Sequence, residues 1–365
     1  QLTSLLKYGQ LSVERGTVIC YIKTMADNYF CLDIDEKFTK VVDAKMNGEF
    51  LDVTALGKTE TPESFYTSNL EKITEAEVIQ IKKLVETLNI TKKNVNLIIP
   101  DSLTYNQIIS MPLLNEKELI TAIKYQADQF IPMPIEETNI DIEVIEENQK
   151  EKKVLLLIVA APKKVIEKIQ TTAELAGLNP ESVENELSSN SRFINKFNKS
   201  TLNQYRISPD HGILLVNFDV NSSSLAYFSP EQLVIRESHH LSIGYNLFLK
   251  EAQINMDTDI KKTEEILKSY DEKNSSPYPI EKIVEPLVNE LAKELKNFAS
   301  KYTSFSILFT NKIFLFPSLI TSLSKELSLP INIFNPYFMI KKSQLVETYK
   351  NELPIFIPGI GGNLR

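Results

Sequence analysis

The sequence predicts an α/β protein built from two similar lobes, because one order of predicted elements occurs twice. A strand, a hairpin, a helix and a further strand follow one another at about residues 30–100, and the same order returns at about 212–335. Repetition of a whole unit supports a fold more strongly than any single predicted strand. Loops from the strand ends converge in such folds, and we expect a ligand there.

The first unit begins with three short apolar strands and continues with a helix. Asn47 and Gly48 favour a tight hairpin turn between the second strand and the third, because they tolerate positive φ. Thr74 is the predicted N-cap of the helix, and Glu77 completes a capping box. The predicted elements are the strands Phe30–Ile34, Thr39–Lys45 and Phe50–Leu56, the helix Glu75–Leu88 and the strand Asn94–Ile99.

A separate segment lies between the two repeats. Asn115 is the predicted N-cap of a helix that runs to about Phe130, with Leu119, Ile123 and Phe130 on one face. The elements predicted after it are the strands Asn139–Ile145 and Lys153–Val159 and the helix Pro162–Ala176.

The polar stretch Asn190–Asp210 is the predicted boundary before the second repeat. The glycines of Gly359–Gly362 predict a flexible end, since no strand–helix context makes them a dinucleotide fingerprint. The predicted elements of the second repeat are the strands Gly212–Phe218, Ser223–Phe228, Gln232–Glu237, Ser304–Phe309 and Ile331–Phe334 and the helices Thr258–Tyr270, Ile280–Lys301 and Pro317–Leu327.

Composition excludes several classes of function. The chain has 365 residues, 42% of them hydrophobic and 24% charged, and its formal charge of −8 disfavours a general nucleic-acid binder. The longest apolar run, Val154–Ala161, is too short to span a bilayer, so no membrane span is expected. Two cysteines make no disulfide framework and favour a reduced, cytoplasmic protein. Three histidines without zinc-type spacing predict no metal site.

Several motifs resemble a known family. The run "ISMPLLNEKELITAIKYQADQFIPMPIEE" is similar to the signature of PilM, the actin-like assembly protein of type IV pili. Collinear matches follow in "LSIGYNLF", "EEILK" and "IPGIGGNLR", so the resemblance covers about residues 29–365. It implies the actin-like ATPase fold, an α/β fold of two ribonuclease-H-like lobes, with an inserted subdomain of the kind found in the cell-division protein FtsA.

The resemblance also implies a domain layout. Residues 1–28 form an N-terminal extension of unknown role, and residues 104–175 form the inserted subdomain. The first lobe comprises residues 29–103 and 176–207, and the second comprises residues 208–338. A C-terminal segment, residues 339–365, returns to the first lobe.

The nucleotide-binding motifs of the family are degenerate here. Family members place Asp-Ile-Gly at the first phosphate loop and usually at the second, since backbone N–H groups must approach the phosphate closely. Asp35 and Asp219 stand at the corresponding places and are expected to repel phosphate, with Lys37 offsetting part of the repulsion. The degenerate site comprises Asp33, Asp35, Lys37, Asn217, Asp219, Ser222, Gly244, Glu265, Lys268, Asn311 and Lys312. No cofactor is therefore predicted, and binding of ATP with Mg²⁺ is disfavoured.

An apolar cluster around the prolines of the signature predicts either core packing or a groove for a peptide. A strand edge near Ile140–Ile145 or Val154–Ile158 offers main-chain hydrogen bonds, and residues 1–28 are able to occupy the same groove in cis. The predicted groove residues are Met111, Leu119, Ile123, Phe130, Ile131, Met133, Ile140 and Ile145.

The resulting prediction is a non-catalytic cytoplasmic adaptor of a type IV pilus or related secretion machine, at the inner face of the cell membrane. It implies docking of the cytoplasmic N-terminal peptide of a PilN-like membrane protein, and contact with other components such as cytoplasmic pilus ATPases. Two alternatives remain open: an ATP-binding protein of the FtsA kind, and the cytoplasmic domain of a type II secretion platform protein.

Overall fold

A computed structural model describes residues 28–115, 118–119, 121–123, 131–230, 232–271 and 276–365, and the backbone alone of residues 10–14 and 17–21. Two compact units divide the chain. The first comprises residues 1–43, 55–188 and 365, and the second comprises residues 44–54 and 189–364. Phe130 and the last turns of the helix predicted from Asn115 lie outside the described residues.

The described strands form three sheets of five strands. In chain order, β1 to β15 are Gln10–Glu14, Thr17–Tyr21, Tyr29–Ile34, Phe38–Asn47, Phe50–Glu60, Asn94–Ile99, Tyr105–Pro112, Thr138–Asn148, Lys153–Pro162, Asn179–Asn185, Gly212–Phe218, Ser223–Phe228, Ile235–Leu241, Phe305–Asn311 and Ile331–Ile333. The described helices, α1 to α10, are Glu71–Thr87, Lys163–Leu175, Glu186–Lys196, Asn198–Gln204, Tyr245–Met256, Ile260–Ser269, Ile280–Ala299, Leu319–Leu327, Gln344–Thr348 and Ile357–Gly362.

Two of the sheets have the same strand order, which confirms the predicted duplication. The first is ordered β5-β4-β3-β6-β10 and the second β13-β12-β11-β14-β15. In each, the first strand of the repeat pairs antiparallel with the next strand and parallel with the strand that follows the meander. Both first strands, β3 and β11, lie at the centre of their sheets and are almost wholly buried, which explains their continuous apolar sequences.

Helix α1 begins one turn earlier than the sequence predicts. Leu70 is its N-cap and makes no side-chain cap, so the predicted capping box at Thr74 and Glu77 is wrong. Glu77 lies instead in the second turn of the helix, on its buried side. Val78, Ile81 and Val85 are also buried along this side of the helix. The apolar spacing predicted the helix correctly, but a cap-like pair inside it misplaced the start.

The polar stretch Asn190–Asp210 is more ordered than its composition predicts. It contributes the last turns of α3 and the whole of α4. Phe193, Ile194 and Phe197 are buried, so a few apolar side chains in a polar background fix these helices. Single apolar residues at helical spacing were hidden by the asparagines and serines around them.

The C-terminal glycine run is packed, and its predicted flexibility is wrong. Gly359, Gly361 and Gly362 are buried in α10. A Cβ on Gly361 would lie 2.1 Å from the Ser189 carbonyl oxygen, so the close approach of these two segments requires glycine. Arg192 also donates to the Gly361 carbonyl at 2.9 Å.

The third sheet, ordered β2-β1-β8-β9-β7, belongs to the first unit and is antiparallel throughout. Asn115, the predicted N-cap, and Glu118 cap each other beside it. The Glu118 N–H donates to the Asn115 side chain at 3.0 Å, and the Asn115 N–H donates to the Glu118 carboxylate at 3.1 Å. A hydrophobic core under the sheet joins β7, β8, β9 and the described part of this helix.

No helix in the described parts of the chain is long and apolar enough to cross a bilayer.

Candidate functional site

The turn between β3 and β4 binds its own aspartate. Asp35 is fully buried, and its Oδ1 accepts hydrogen bonds from the backbone N–H groups of Lys37 and Phe38, both at 2.7 Å. The Asp35 N–H donates to the Phe38 carbonyl at 3.0 Å and closes the turn. Backbone N–H groups of such a turn are the donors that cradle a phosphate in nucleotide-binding loops. Here a carboxylate of the chain takes them.

A buried lysine neutralises this turn. Lys40 is fully buried, and its Nζ lies 2.8 Å from Asp33 and 2.7 Å from Asp35. Burial alone lowers the pKa of an ammonium, but these two carboxylates and Glu186 hold the pKa of Lys40 above its ordinary value. Asp33 and Lys40 face each other in the β3–β4 register, so the strand pairing itself brings the charges together. Lys37, the predicted counter-charge, lies over the Phe38 ring at 5.7 Å.

Glu77 of α1 adds a third buried carboxyl to this cluster. The hydroxyl of Thr39 donates to its Oε1, and the Thr39 hydroxyl also lies 2.9 Å from the Thr61 hydroxyl. Burial raises the pKa of Glu77 to about 7, with Asp35 adding to the rise and the Thr39 hydrogen bond opposing it. Near Glu77, the Tyr66 hydroxyl donates to the Ile34 carbonyl at 2.5 Å.

The turn between β11 and β12 repeats the geometry of the first turn. The Asp219 N–H donates to the Ser222 carbonyl at 3.0 Å, as Asp35 does to Phe38. The backbone N–H groups at the start of α5 close on it: Tyr245 donates to the Asp219 carbonyl at 2.9 Å and Asn246 to the Val220 carbonyl at 2.8 Å. The donors of this helix N-terminus are therefore occupied by the turn.

Gly244 allows that contact. A Cβ on Gly244 would lie 2.4 Å from the Ser222 backbone nitrogen, so any other residue would push the turn away from α5. Glycine at this position is thus required for packing of the second turn against α5.

A second buried lysine neutralises the second turn from a different position. The Nζ of Lys312 lies 3.2 Å from Asp219, and both side chains are almost wholly buried. It also donates to the Asn311 side chain at 2.8 Å, and Asn311 donates to Asn217 at 3.0 Å. Lys40 comes from β4, whereas Lys312 follows β14, so the two lobes supply a lysine counter-charge from different positions.

Asn311 retains a backbone conformation suited to glycine. Its φ of 67° is positive, a value that most residues other than glycine avoid. Asparagine tolerates positive φ better than most residues, and its side-chain hydrogen bonds to Asn217 and Lys312 hold it there.

The two remaining predicted nucleotide residues lie on α6. Lys268 is half exposed and forms an ion pair with Glu352 at 3.3 Å, and the Glu265 carbonyl accepts from the Ser269 hydroxyl. In this structure both residues make their contacts at the surface of the second unit.

The electrostatic argument from the sequence therefore needs correction. Both turn carboxylates are buried against lysines, so these counter-charges offset part of the repulsion of phosphate that the sequence predicts. In the first turn Asp35 occupies the N–H groups of Lys37 and Phe38, and in the second turn Asp219 is paired with Lys312. No cluster of three or more acidic, histidine or cysteine residues suited to a metal occurs among the described residues.

Most of the predicted groove residues form a core. Five of them are almost fully buried in the hydrophobic cluster of the inserted subdomain and do not present a binding surface, which corrects their assignment; they are Met111, Leu119, Ile123, Ile131 and Ile140. Met133 is partly buried against the same cluster. Phe130 lies outside the described residues.

The strand edges narrow the remaining candidates. Residues Val154–Ile158 belong to β9, which pairs with β7 on one side and β8 on the other, so that strand offers no edge to a peptide. Ile145 is different, since it is partly exposed and the register shifts between Val144 and Glu146 make it the extra residue of a β-bulge in β8. The other predicted segment, Ile140–Ile145, lies on β8, which pairs with β9 on one side and, at Asp141 and Ile142 only, with β1 on the other.

Sequence reasoning missed two titratable groups. Burial raises the pKa of Asp141, in β8, to about 7, with the Ile142 N–H opposing the rise and Glu143 adding to it. Glu77 was assigned to a helix cap. The signal for the cluster around Glu77 was present in β4, where Phe38, Lys40 and Val42 alternate on one face and place a lysine among apolar neighbours.

The duplicated sheet order and the paired turns define a protein of the actin-like ATPase fold, as predicted. Residues 31–360 match the family model described as type IV pilus assembly protein PilM. The chain therefore belongs to the PilM family.

Two solved structures show the same fold. A chain of the PilM-PilN type IV pilus biogenesis complex is similar with a TM-score of 0.77 and 19% identity, over 93% of this chain and 98% of that one. The ethanolamine utilization protein EutJ from Carboxydothermus hydrogenoformans is similar with a TM-score of 0.50 and 11% identity, over 92% of this chain and 88% of that one. Comparison with curated proteins gave no match.

The raised pKa of Glu77 predicts a specific pH dependence of stability. Because the folded state favours the protonated carboxyl, its contribution to stability is complete below the ordinary value of 4.5 and is lost as pH rises through about 7. Glu77→Gln keeps an acceptor for Thr39 and removes the charge. We expect it to raise the free energy of unfolding on the order of 2 kcal/mol at pH 8 and to change it little at pH 4.

Urea unfolding at both pH values measures this difference. Glu75→Gln, an exposed residue of the same helix, is the matched control and should leave the pH dependence unchanged. An effect of Glu77→Gln that is equal at pH 4 and pH 8 would contradict the assignment.

The Lys312–Asp219 pair predicts strong coupling between the two side chains. Lys312→Met leaves Asp219 buried without its counter-charge and is expected to cost about 3–5 kcal/mol of stability. Adding Asp219→Asn should restore much of that loss, whereas Lys325→Met, which removes an exposed ion pair, should cost less than about 1 kcal/mol. A double-mutant cycle by urea unfolding gives the coupling, and additive effects would show that the pair is not formed.

Proposed function

We propose that this protein is a non-catalytic adaptor of a type IV pilus machine. The observation that carries the proposal is that a buried aspartate, paired with a buried lysine, lies in each of the two turns that correspond to the phosphate loops of this fold. Asp35 holds the turn N–H groups of the first, and Lys312 pairs with Asp219 of the second. The chain belongs to the PilM family of type IV pilus assembly proteins, which supports a role in this particular machine.

Loss of the phosphate donors favours an adaptor over an ATP-driven switch. A nucleotide would have to displace a fully buried carboxylate from two short hydrogen bonds and from Lys40 in the first turn. Breaking a buried ion pair costs several kcal/mol, which is comparable to the affinity that a phosphate contact provides. In the folded state, lysines and aspartates of the chain thus balance each other's charge. In an active relative, a nucleotide and its metal would provide that balance.

The partner that fits this proposal is the cytoplasmic N-terminal peptide of a PilN-like membrane protein. The related structure is that of a PilM-PilN complex, which supports a partner of this kind. An extended peptide gains main-chain hydrogen bonds by adding to a sheet edge, and alternate side chains then enter pockets. We place it at the β8 edge of the inserted subdomain, beside the bulge at Ile145. Such a partner would hold the protein at the inner face of the membrane.

Calorimetry with ATP and Mg²⁺ tests the non-catalytic part. We expect no heat of binding up to millimolar ATP. Asp35 already accepts the N–H groups of the first turn, and Lys40 and Lys312 are already paired with aspartates. The double variant Asp35→Gly/Asp219→Gly should bind more tightly than the parent, since it frees the N–H groups of Lys37 and Phe38 and unpairs Lys312. Asp43→Gly, which removes an acid paired with Lys92 outside both turns, should give no gain. A micromolar dissociation constant for the parent would refute the proposal.

Fluorescence anisotropy with the labelled PilN-like peptide tests the adaptor part. Ile145→Asp places a charge at the β8 bulge and is expected to weaken binding at least tenfold without unfolding the protein. Ile109→Asp alters a partly exposed residue of β7, on the opposite side of β9 from β8, and should leave the affinity unchanged. If both variants are folded and lose peptide affinity equally, the peptide binds somewhere other than the β8 bulge. If the parent does not bind the peptide at any concentration, docking of this peptide is not part of the function.

A further inference from the structure

The N-terminal extension adds two strands to the inserted subdomain. Strands β1 and β2 form an antiparallel hairpin in which Gln10 pairs with Tyr21 and Glu14 with Thr17. Strand β1 also pairs antiparallel with β8, with Leu11 opposite Ile142 and Ser12 opposite Asp141. The sheet formed by β7, β9 and β8 thereby gains two strands at the β8 side.

The strand register shows which residues of the hairpin lie on the apolar face of the sheet. Leu11 lies opposite Cys20 in the hairpin and opposite Ile142 in β8, so these three positions share one face of the sheet. Ile142 is 1% exposed and belongs to the core of the inserted subdomain. Val13 and Val18, which lie opposite each other, fall on that same face by alternation. Four apolar positions of the hairpin thus fall on the same face of the sheet as Ile142, whereas Ile19, opposite Ser12, falls on the other face.

A strand has two edges, and both edges of β8 are engaged in this arrangement. One edge pairs with β9 along most of its length, from Thr138 to Asn148. The other edge pairs with β1 at Asp141 and Ile142. Backbone groups already in a ladder are not available to a second strand, so a peptide that adds to this part of β8 must first displace β1.

We propose that the β1–β2 hairpin is a built-in occupant of the β8 edge, which a partner strand displaces in order to dock. The identity of the partner rests on the proposed function, but occupation of the edge by the hairpin does not. The arrangement is autoinhibitory: it covers an edge that would otherwise pair with any extended chain, and it makes docking depend on release of the hairpin.

The consequence for affinity is set by the fraction of molecules with a free edge. Apparent affinity falls by that fraction, so a hairpin docked in about 99% of molecules weakens partner binding about a hundredfold. A substitution that releases the hairpin restores the intrinsic affinity without changing any contact of the partner.

Ser12→Pro in the full chain releases the hairpin, since proline removes an N–H and is excluded from strands that pair on both sides. Ser12→Thr is the matched control, because threonine favours strands. Hydrogen–deuterium exchange of the segment 140–144 should be at least tenfold faster in Ser12→Pro than in Ser12→Thr. Equal exchange in the two variants would overturn the proposal.

A second measurement tests competition without the partner. A labelled synthetic peptide with the sequence of residues 7–24 should bind Ser12→Pro and should not bind Ser12→Thr. The PilN-like peptide should likewise bind Ser12→Pro at least tenfold more tightly than Ser12→Thr. Equal affinity of the PilN-like peptide for both variants would overturn displacement by the partner.

The outcomes separate the two proposals. Binding of the hairpin peptide to Ser12→Pro, together with no PilN-like binding to either variant, would refute the adaptor's peptide partner and support the built-in occupant. Light scattering identifies a further alternative, in which the hairpin reaches a second copy of the chain. A parent protein that is dimeric and becomes monomeric in Ser12→Pro would overturn the intramolecular form of the proposal.

Discussion

The buried lysine–aspartate pairs are the constraint on which both candidate turns depend. An aspartate in a tight turn inside a folded lobe is costly unless a positive charge accompanies it. Lys40 lies between Asp33 and Asp35, and Lys312 lies against Asp219. In the first turn the Asp35 side chain also accepts two backbone N–H groups of the turn.

The two lobes reach this state independently, which makes it informative. Their sheets share a strand order, and their turns share the same backbone hydrogen bond, so the repeated architecture is retained in full. The neutralising lysine nevertheless comes from the second strand of one lobe and from the residue after the fourth strand of the other. Gly244 allows the second turn to approach α5 closely, and Asn311 has a positive φ after the fourth strand of the second sheet.

The inserted subdomain follows a different rule, that of sheet edges. Its core residues, among them Ile123 and Ile131, are enclosed, so recognition by this subdomain depends on backbone edges and partly exposed positions. Strand β9 is enclosed by two neighbours, and β8 carries a bulge next to its paired segment. A strand edge that is able to pair with different partners, as we propose for β8, suits an adaptor. Such an edge also requires protection from unwanted pairing. The hairpin provided by the N-terminal extension meets that requirement.

The sequence by itself determined the repeated units, the hairpin at Asn47–Gly48, the N-cap at Asn115, and the presence of Asp35 and Asp219 just after the first strand of each repeat. These depend on local periodicity, turn chemistry and residue identity, which are legible in short windows. Tertiary structure alone decided that Lys40 rather than Lys37 neutralises Asp35, that Glu77 is a buried acid, and that the C-terminal glycines are packed. Each of those outcomes arises from pairing between segments distant in the chain, such as α10 against Ser189, and no local pattern specifies which distant backbone will approach.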